Sequence, residues 1–165
     1  AARMQIARDD PQQPDIRALL DVHVREARAN SPPGESFALD HSALSRPDIS
    51  FWSVRDGDGA LIGCGALKRL GDGQGEVKSM HTRADQRGRG TGRAMLEVII
   101  EAARREGLRA LYLETGNNEA YLPARQLYAR CGFVECGVFG GYRENGFSVF
   151  MRLDLPAAVS AAQPG

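Results

Sequence analysis

Met80-His81-Thr82-Arg83-Ala84-Asp85-Gln86-Arg87-Gly88-Arg89-Gly90-Thr91-Gly92-Arg93-Ala94-Met95-Leu96 is the stretch on which the fold turns. A short extended run enters a turn with glycines at 88, 90 and 92, and a long amphipathic helix follows at once. Glycine permits positive φ and removes side chains that would block a ligand. The first amides of a helix lack intrahelical partners, and the dipole there favours an anion. The turn, with Thr91 at the helix start, therefore reads as a cradle for a pyrophosphate. Arg87, Arg89 and Arg93 are placed to add charge-assisted contacts. Two nucleotide motifs are excluded: a dinucleotide fingerprint needs glycine at 93, where Arg stands, and no Gly-Lys-Ser/Thr follows. The bland alternative, glycines that only let helix and strand pack, does not account for the arginines.

Downstream, Met95, Leu96, Ile99, Ile100 and Ala103 form one apolar stripe, with Arg93, Glu97, Glu101, Arg104 and Arg105 opposite. Gly107 is placed as a C-terminal cap. Leu111 to Thr115 reads as a strand, Ala120 to Arg130 as a helix stopped by Gly132, and Ser148 to Leu155 as a last strand. Upstream, Met4 to Ala7 alternates as a first strand, and Pro14 opens a helix closed by Asn30-Ser31-Pro32-Pro33-Gly34. Asp40 is placed to cap a short helix through Leu44, which Pro47 ends. Phe51 to Val54 and Ala60 to Leu67 form a hairpin across Asp56-Gly57-Asp58-Gly59, and Val77 to Thr82 adds a third antiparallel strand. The whole predicts a mixed α/β sheet with a parallel pair in its second half. Residues 1–155 are expected to form one domain, and the Ala/Ser/Gln/Pro/Gly tail at 156–165 to be disordered.

The 165 residues carry 21 basic and 21 acidic side chains, which argues against nucleic acid or an anionic membrane as partner. No segment approaches the roughly 20 apolar residues of a membrane span, and no signal peptide is read, so a cytoplasmic location is expected. Cys64, Cys131 and Cys136 are an odd set in no metal-ligand spacing, so reduced thiols and no metal are expected.

Arg87-x-x-Gly90-x-Gly92 resembles the Arg/Gln-x-x-Gly-x-Gly/Ala signature of the GNAT superfamily of N-acetyltransferases. Ala124-x-x-Leu127-Tyr128-x-x-x-Gly132-Phe133 resembles its second signature. The resemblance spans roughly Phe51 to Leu155. Phe37-Ala38-Leu39-Asp40, Glu76-Val77-Lys78-Ser79-Met80, Leu113-Glu114-Thr115-Gly116 and Ser148-Val149-Phe150-Met151 are further similar to the bacterial YsnE-like subgroup. The resemblance implies a GNAT-like, mostly antiparallel sheet with a splayed parallel pair and flanking helices. It implies acetyl-CoA as donor, with the backbone from Gly88 to Arg93 on the pyrophosphate. Pantetheine would lie between the splayed strands Val77–Thr82 and Leu111–Thr115, bonded to the backbone of Met80 and Thr82 beside His81.

Acetyl transfer to an amine needs a base, because an alkyl ammonium has a pKa near ~10.4. It also needs a proton donor for the departing thiolate. By resemblance that donor is Tyr128, which would also touch the cofactor; a core tyrosine is the other reading. Glu76 is the leading base. Alternation places Glu76, Lys78 and Met80 on one face of the strand, although pairing with Lys78 would explain the carboxylate equally. Glu114 and Thr115 are placed to bind acceptor or a water, and Asn117 to cap a helix or meet pantetheine. Glu35 and Phe37 follow the Pro-Pro-Gly turn, where the family places its acceptor wall; an acidic and aromatic pair suits a cationic amine, or caps a helix and fills a groove. Tyr142 lies in the glycine-rich run from Gly137 to Gly146, which would cover the acceptor; Gly141 and Phe147 depart there from the subgroup's Asp and Asn. Alternation turns His81 away from Met80, and His23 and His41 show no partner pattern.

The expected function is therefore acetyl-CoA-dependent N-acetylation of a small-molecule or peptide amine, with a homodimer admitted by the resemblance. A silent acetyl-CoA sensor is the main alternative. An RNA-binding tract at Gln86 to Arg93 is the other, opposed by its shortness and the zero net charge.

Overall fold

The computed structural model describes residues 3–157; the rest of the expected tail lies outside the described residues. Strands β1 (Gln5–Arg8), β2 (Ile49–Arg55), β3 (Leu61–Gly71), β4 (Gln74–Thr82), β5 (Ala110–Gly116), β6 (Val134–Glu135) and β7 (Ser148–Asp154) form one sheet in the order β1-β2-β3-β4-β5-β7-β6. Every neighbouring pair is antiparallel except β4 and β5, so the expected mixed sheet with one parallel pair is present. Helix α1 (Pro14–Ala29) covers one face, packing Ile16, Leu19 and Leu20 on Phe51, Leu61, Cys64 and Ala66. Helices α2 (Thr91–Arg105) and α3 (Leu122–Arg130) cover the other, where Met95, Leu96, Ile99 and Tyr128 join Val77, Leu111 and Leu113. Trp52 belongs to that second core.

Local chemistry explains the element ends. Gly107, at φ +76°, closes α2: its N–H donates to Arg104 O and that of Leu108 to Ala103 O, both at 3.0 Å. Asp40 Oδ1 accepts from Ala43 N at 2.9 Å, but it caps a single 3-10 turn, Ala43–Ser45, where a short α-helix was expected. Helix α3 starts at Leu122, later than Ala120, because Pro123 lacks an N–H and belongs in the first turn. The two-residue β6 has no periodicity to announce it.

Two irregularities shape the middle of the sheet. The parallel ladder joins only Gln74 with Ala110, Gly75 with Leu111 and Glu76 with Tyr112, after which the strands part. Opposite β3, the register runs from Ala66 with Lys78 to Cys64 with His81, so Gly65 faces both Ser79 and Met80. This is a β-bulge, and Ser79 takes φ +55° in it. A Cβ on Gly65 would stand 2.8 Å from Met95 Cγ and 3.0 Å from Met80 Sδ, so only glycine fits there. The extra residue reverses the alternation and corrects the expected faces: Met80 packs with Val77 in the core under α2, whereas His81 joins Glu76 and Lys78 on the α1 face.

Candidate active site

The glycine turn sits at the N-terminus of α2. Gly88 (φ +79°) and Gly90 (φ +83°) are left-handed with open space where a Cβ would stand, so backbone conformation alone demands glycine. Gly92 is inside the helix, and a Cβ there would meet Leu127 Cδ2 of α3 at 3.1 Å. A cleft of about 580 Å³ runs from this turn between α1 and α3 to Tyr128, walled by Met80, His81, Thr82, Arg87 and Arg93. Buried Thr91 closes its floor. Arg87 ion-pairs with Glu26 at 3.0 Å and donates to Thr82 O at 3.1 Å, while Arg93 pairs with Glu97 at 3.1 Å. Arg89 is exposed and outside the cleft wall. Asn117 also lies apart: its Nδ2 donates to Gly146 O at 2.8 Å and lines a neighbouring opening.

At Tyr128 the cleft meets a chamber of about 130 Å³ on the α1 face, walled by Glu35, Phe37, Glu76, Lys78, Glu114 and Thr115. The Tyr128 ring is buried, and its hydroxyl has no hydrogen-bond partner among the described residues. Burial, and secondarily the Glu114 charge, raise its pKa, so it holds its proton.

Three elements meet in one network behind the chamber wall. Glu76 Oε2 accepts from Lys78 Nζ at 3.1 Å and from the Tyr142 hydroxyl at 2.5 Å. Lys78 also donates to Tyr142 Oη at 2.8 Å and to Phe37 O at 3.4 Å. The rings of Phe37 and Tyr142 meet edge to face at 5.1 Å. Glu76 is only 3% exposed, so the ion pair is internal, and Tyr142 ties the 137–146 loop to β4. Glu114 differs. It accepts from Ser148 Oγ at 2.8 Å, and burial pushes its pKa up to about 7.

The bulge also makes a contact that local pattern did not signal. His81 Nδ1 stands 3.1 Å from Nδ1 of His23 on α1, a partner 58 residues away. Burial lowers both pKa values, that of His23 to about 4, so the pair is neutral at pH 7 and one ring donates to the other. Tyr121, in the chamber wall, went equally unmarked in the sequence; its ring meets that of Phe147, noted there only as a departure from the subgroup, at 5.7 Å. Among the described residues no helix is long and apolar enough to cross a membrane, and no three His, Cys, Asp or Glu side chains group to hold a metal.

The glycine turn at the start of α2 and a long groove thus lead to a small acidic chamber, with a protonated tyrosine where the two meet.

The sequence pattern of the Acetyltransferase (GNAT) family matches residues 16–133. The chain is 41% identical over 152 residues to the uncharacterized N-acetyltransferase YsnE of Bacillus subtilis (strain 168), covering 92% of this chain and 100% of that one. It is 39% identical over 150 residues to the uncharacterized N-acetyltransferase YedL of Escherichia coli (strain K12), with 91% and 94% covered. Among solved structures, an acyl-CoA N-acyltransferase candidate from Klebsiella pneumoniae superposes with a TM-score of 0.76 and 26% identity, over 92% of this chain and 97% of that one.

Proposed function

The chain belongs to the GNAT acetyltransferase family, and from that premise we propose that it carries an acetyl group from acetyl-CoA to an amine by direct attack in a ternary complex. Residues 1–155 act in this reading as a single acetyltransferase domain. The observation that carries it is the meeting of the glycine-turn cleft with the acidic chamber at Tyr128.

The residues fit the donor. The amides of Gly88 to Arg93 at the α2 N-terminus hold its pyrophosphate, and Arg87 exchanges Glu26 for a phosphate oxygen. Past Glu76 the β4 backbone has no ladder to β5, so Met80 and Thr82 face the gap for pantetheine, and Thr82 O is released as Arg87 turns to the phosphate. Acetyl-CoA supplies an activated thioester; the protein supplies position and proton transfer. Tyr128, unpartnered and protonated, gives its proton to the departing sulfur.

The base role, expected at Glu76, moves in this reading to Glu114. Glu76 Oε2 already accepts two hydrogen bonds and offsets the Lys78 charge, so drawing a proton there would break an internal ion pair. Glu114, with a pKa of about 7, is poised to take the ammonium proton, directly or through a water near Thr115. Three free cysteines and a donor of central metabolism support a reducing, cytoplasmic setting.

Calorimetric titration of acetyl-CoA, with NAD and ATP as controls, tests the donor site. Micromolar, selective binding is expected, abolished in Gly90→Glu, whose carboxylate would stand where the phosphate charge sits. Absence of binding to the wild-type chain would overturn the proposal.

A further inference from the structure

Resting on the reading above, we propose that the acceptor is a small aliphatic diamine: one amine enters the inner chamber, and the second, charged amine is held by Glu35. The inner chamber of about 130 Å³ opens past Ser31, Glu35 and Phe147 into an outer mouth of about 590 Å³. The inner space is much smaller than the mouth, so it takes only a short chain. Anything longer must extend past Glu35.

The charges select what that extension carries. Among the described residues the only cation in the chamber wall is Lys78, and its three protons are engaged by Glu76, Tyr142 and Phe37 O. His23 is neutral at pH 7. The outer mouth holds no cationic side chain, and Glu35 is its one charged group. Among the described residues Glu35 makes no ion pair, and its charge is felt at Glu114, so the two carboxylates flank a common space. A carboxylate on the acceptor would therefore find no unengaged cation in either wall, whereas a second ammonium would meet an unengaged carboxylate. Phe37, Tyr121 and Phe147 supply apolar wall for the methylenes between the two charges. An independent sign of a missing polar partner is Ser79, 8% exposed in the same wall, whose hydroxyl has no hydrogen-bond partner among the described residues. An ammonium supplies donors for it.

Calorimetric titration of the full chain, with and without coenzyme A, compares putrescine, a four-carbon diamine, with butylamine and γ-aminobutyrate. Putrescine is expected to bind about tenfold tighter than butylamine, with γ-aminobutyrate the weakest, because Coulomb attraction at the partly buried Glu35 exceeds its value in water several-fold. Glu35→Gln, at a side chain that holds no other element, should bring the putrescine-to-butylamine ratio close to one. Equal affinity for diamine and monoamine, or an unchanged ratio in Glu35→Gln, overturns the diamine assignment. Thiol release measured in parallel separates the two readings. Diamine-selective binding without thiol release would sink acetyl transfer and leave the diamine site standing, and thiol release from all three without selectivity would do the reverse.

Discussion

Two side chains of one cavity, Glu114 and Tyr128, are driven by burial toward their protonated forms, and the proposed reaction assigns them opposite proton transfers. Tyr128→Phe removes only a hydroxyl that bonds nothing in the resting protein. Turnover should fall about a hundredfold, the usual scale for a proton donor, while acetyl-CoA affinity in calorimetry stays near wild type. Unchanged turnover would return Tyr128 to the core. Glu114 gives a pH signature. A base must be deprotonated, so kcat/KM should rise with pH and level off above the value of about 7. Glu114→Gln should lower it by at least about a hundredfold and abolish that limb. If the limb persists in Glu114→Gln, another group is the base.

At the scale of elements, the β4 bulge decides which residues share the chamber. It rests on Gly65, whose missing side chain admits Met80, Met95 and Ile99 to one spot. Gly65→Ala must push at least one of them, or the bulge itself, aside. Such overpacking costs about 1–3 kcal/mol, readable as a lower urea midpoint. Turnover should fall further than stability alone explains, since Lys78 of the chamber wall and His81 of the cleft wall flank the bulge. A stability-neutral Gly65→Ala would show that the core there is loosely packed.

Across the whole molecule, α1 is tied to the sheet at the cleft by His23 and His81, and this links the fold to pH. The folded His23 titrates near 4 and the unfolded one near 6.5, so the unfolded chain binds more protons between those values. Stability from this group is full above 6.5 and is lost as the pH falls toward 4, by at most about 3 kcal/mol. His81, also lowered, acts in the same direction. Glu114 opposes them. Its folded pKa of about 7 exceeds the ordinary 4.5, so it binds more protons when folded, and acidification through that window stabilises the fold. In thermal melts from pH 7 to 4.5, Glu114→Gln should lose stability more steeply than wild type, and His23→Gln less steeply. Parallel curves for all three would refute both assignments.

The amino-acid sequence by itself determined the order of the α-helices and of every strand but the two-residue β6, the glycine turn at the start of α2 and the region from Ala124 to Phe133 that brings Tyr128 to the cleft. Those are local properties: apolar period, the left-handed conformations of Gly88 and Gly90, the cap at Gly107 and the first-turn proline of α3. Glu35, Phe37, Glu76, Lys78, Glu114 and Thr115 were singled out from the sequence and its resemblance, and all six line one chamber. Only the tertiary structure decided what each of them meets. The bulge at Ser79 reverses the strand's alternation, and nothing in residues 76–82 announces it, because its cause lies on β3 and α2 at Gly65 and Met95. The pairing of His23 with His81 follows from that reversal. The contrast between the paired Glu76 and the perturbed Glu114 likewise depends on Lys78, Tyr142 and Ser148, since a carboxylate's proton affinity is set by burial and neighbours brought together from distant parts of the chain.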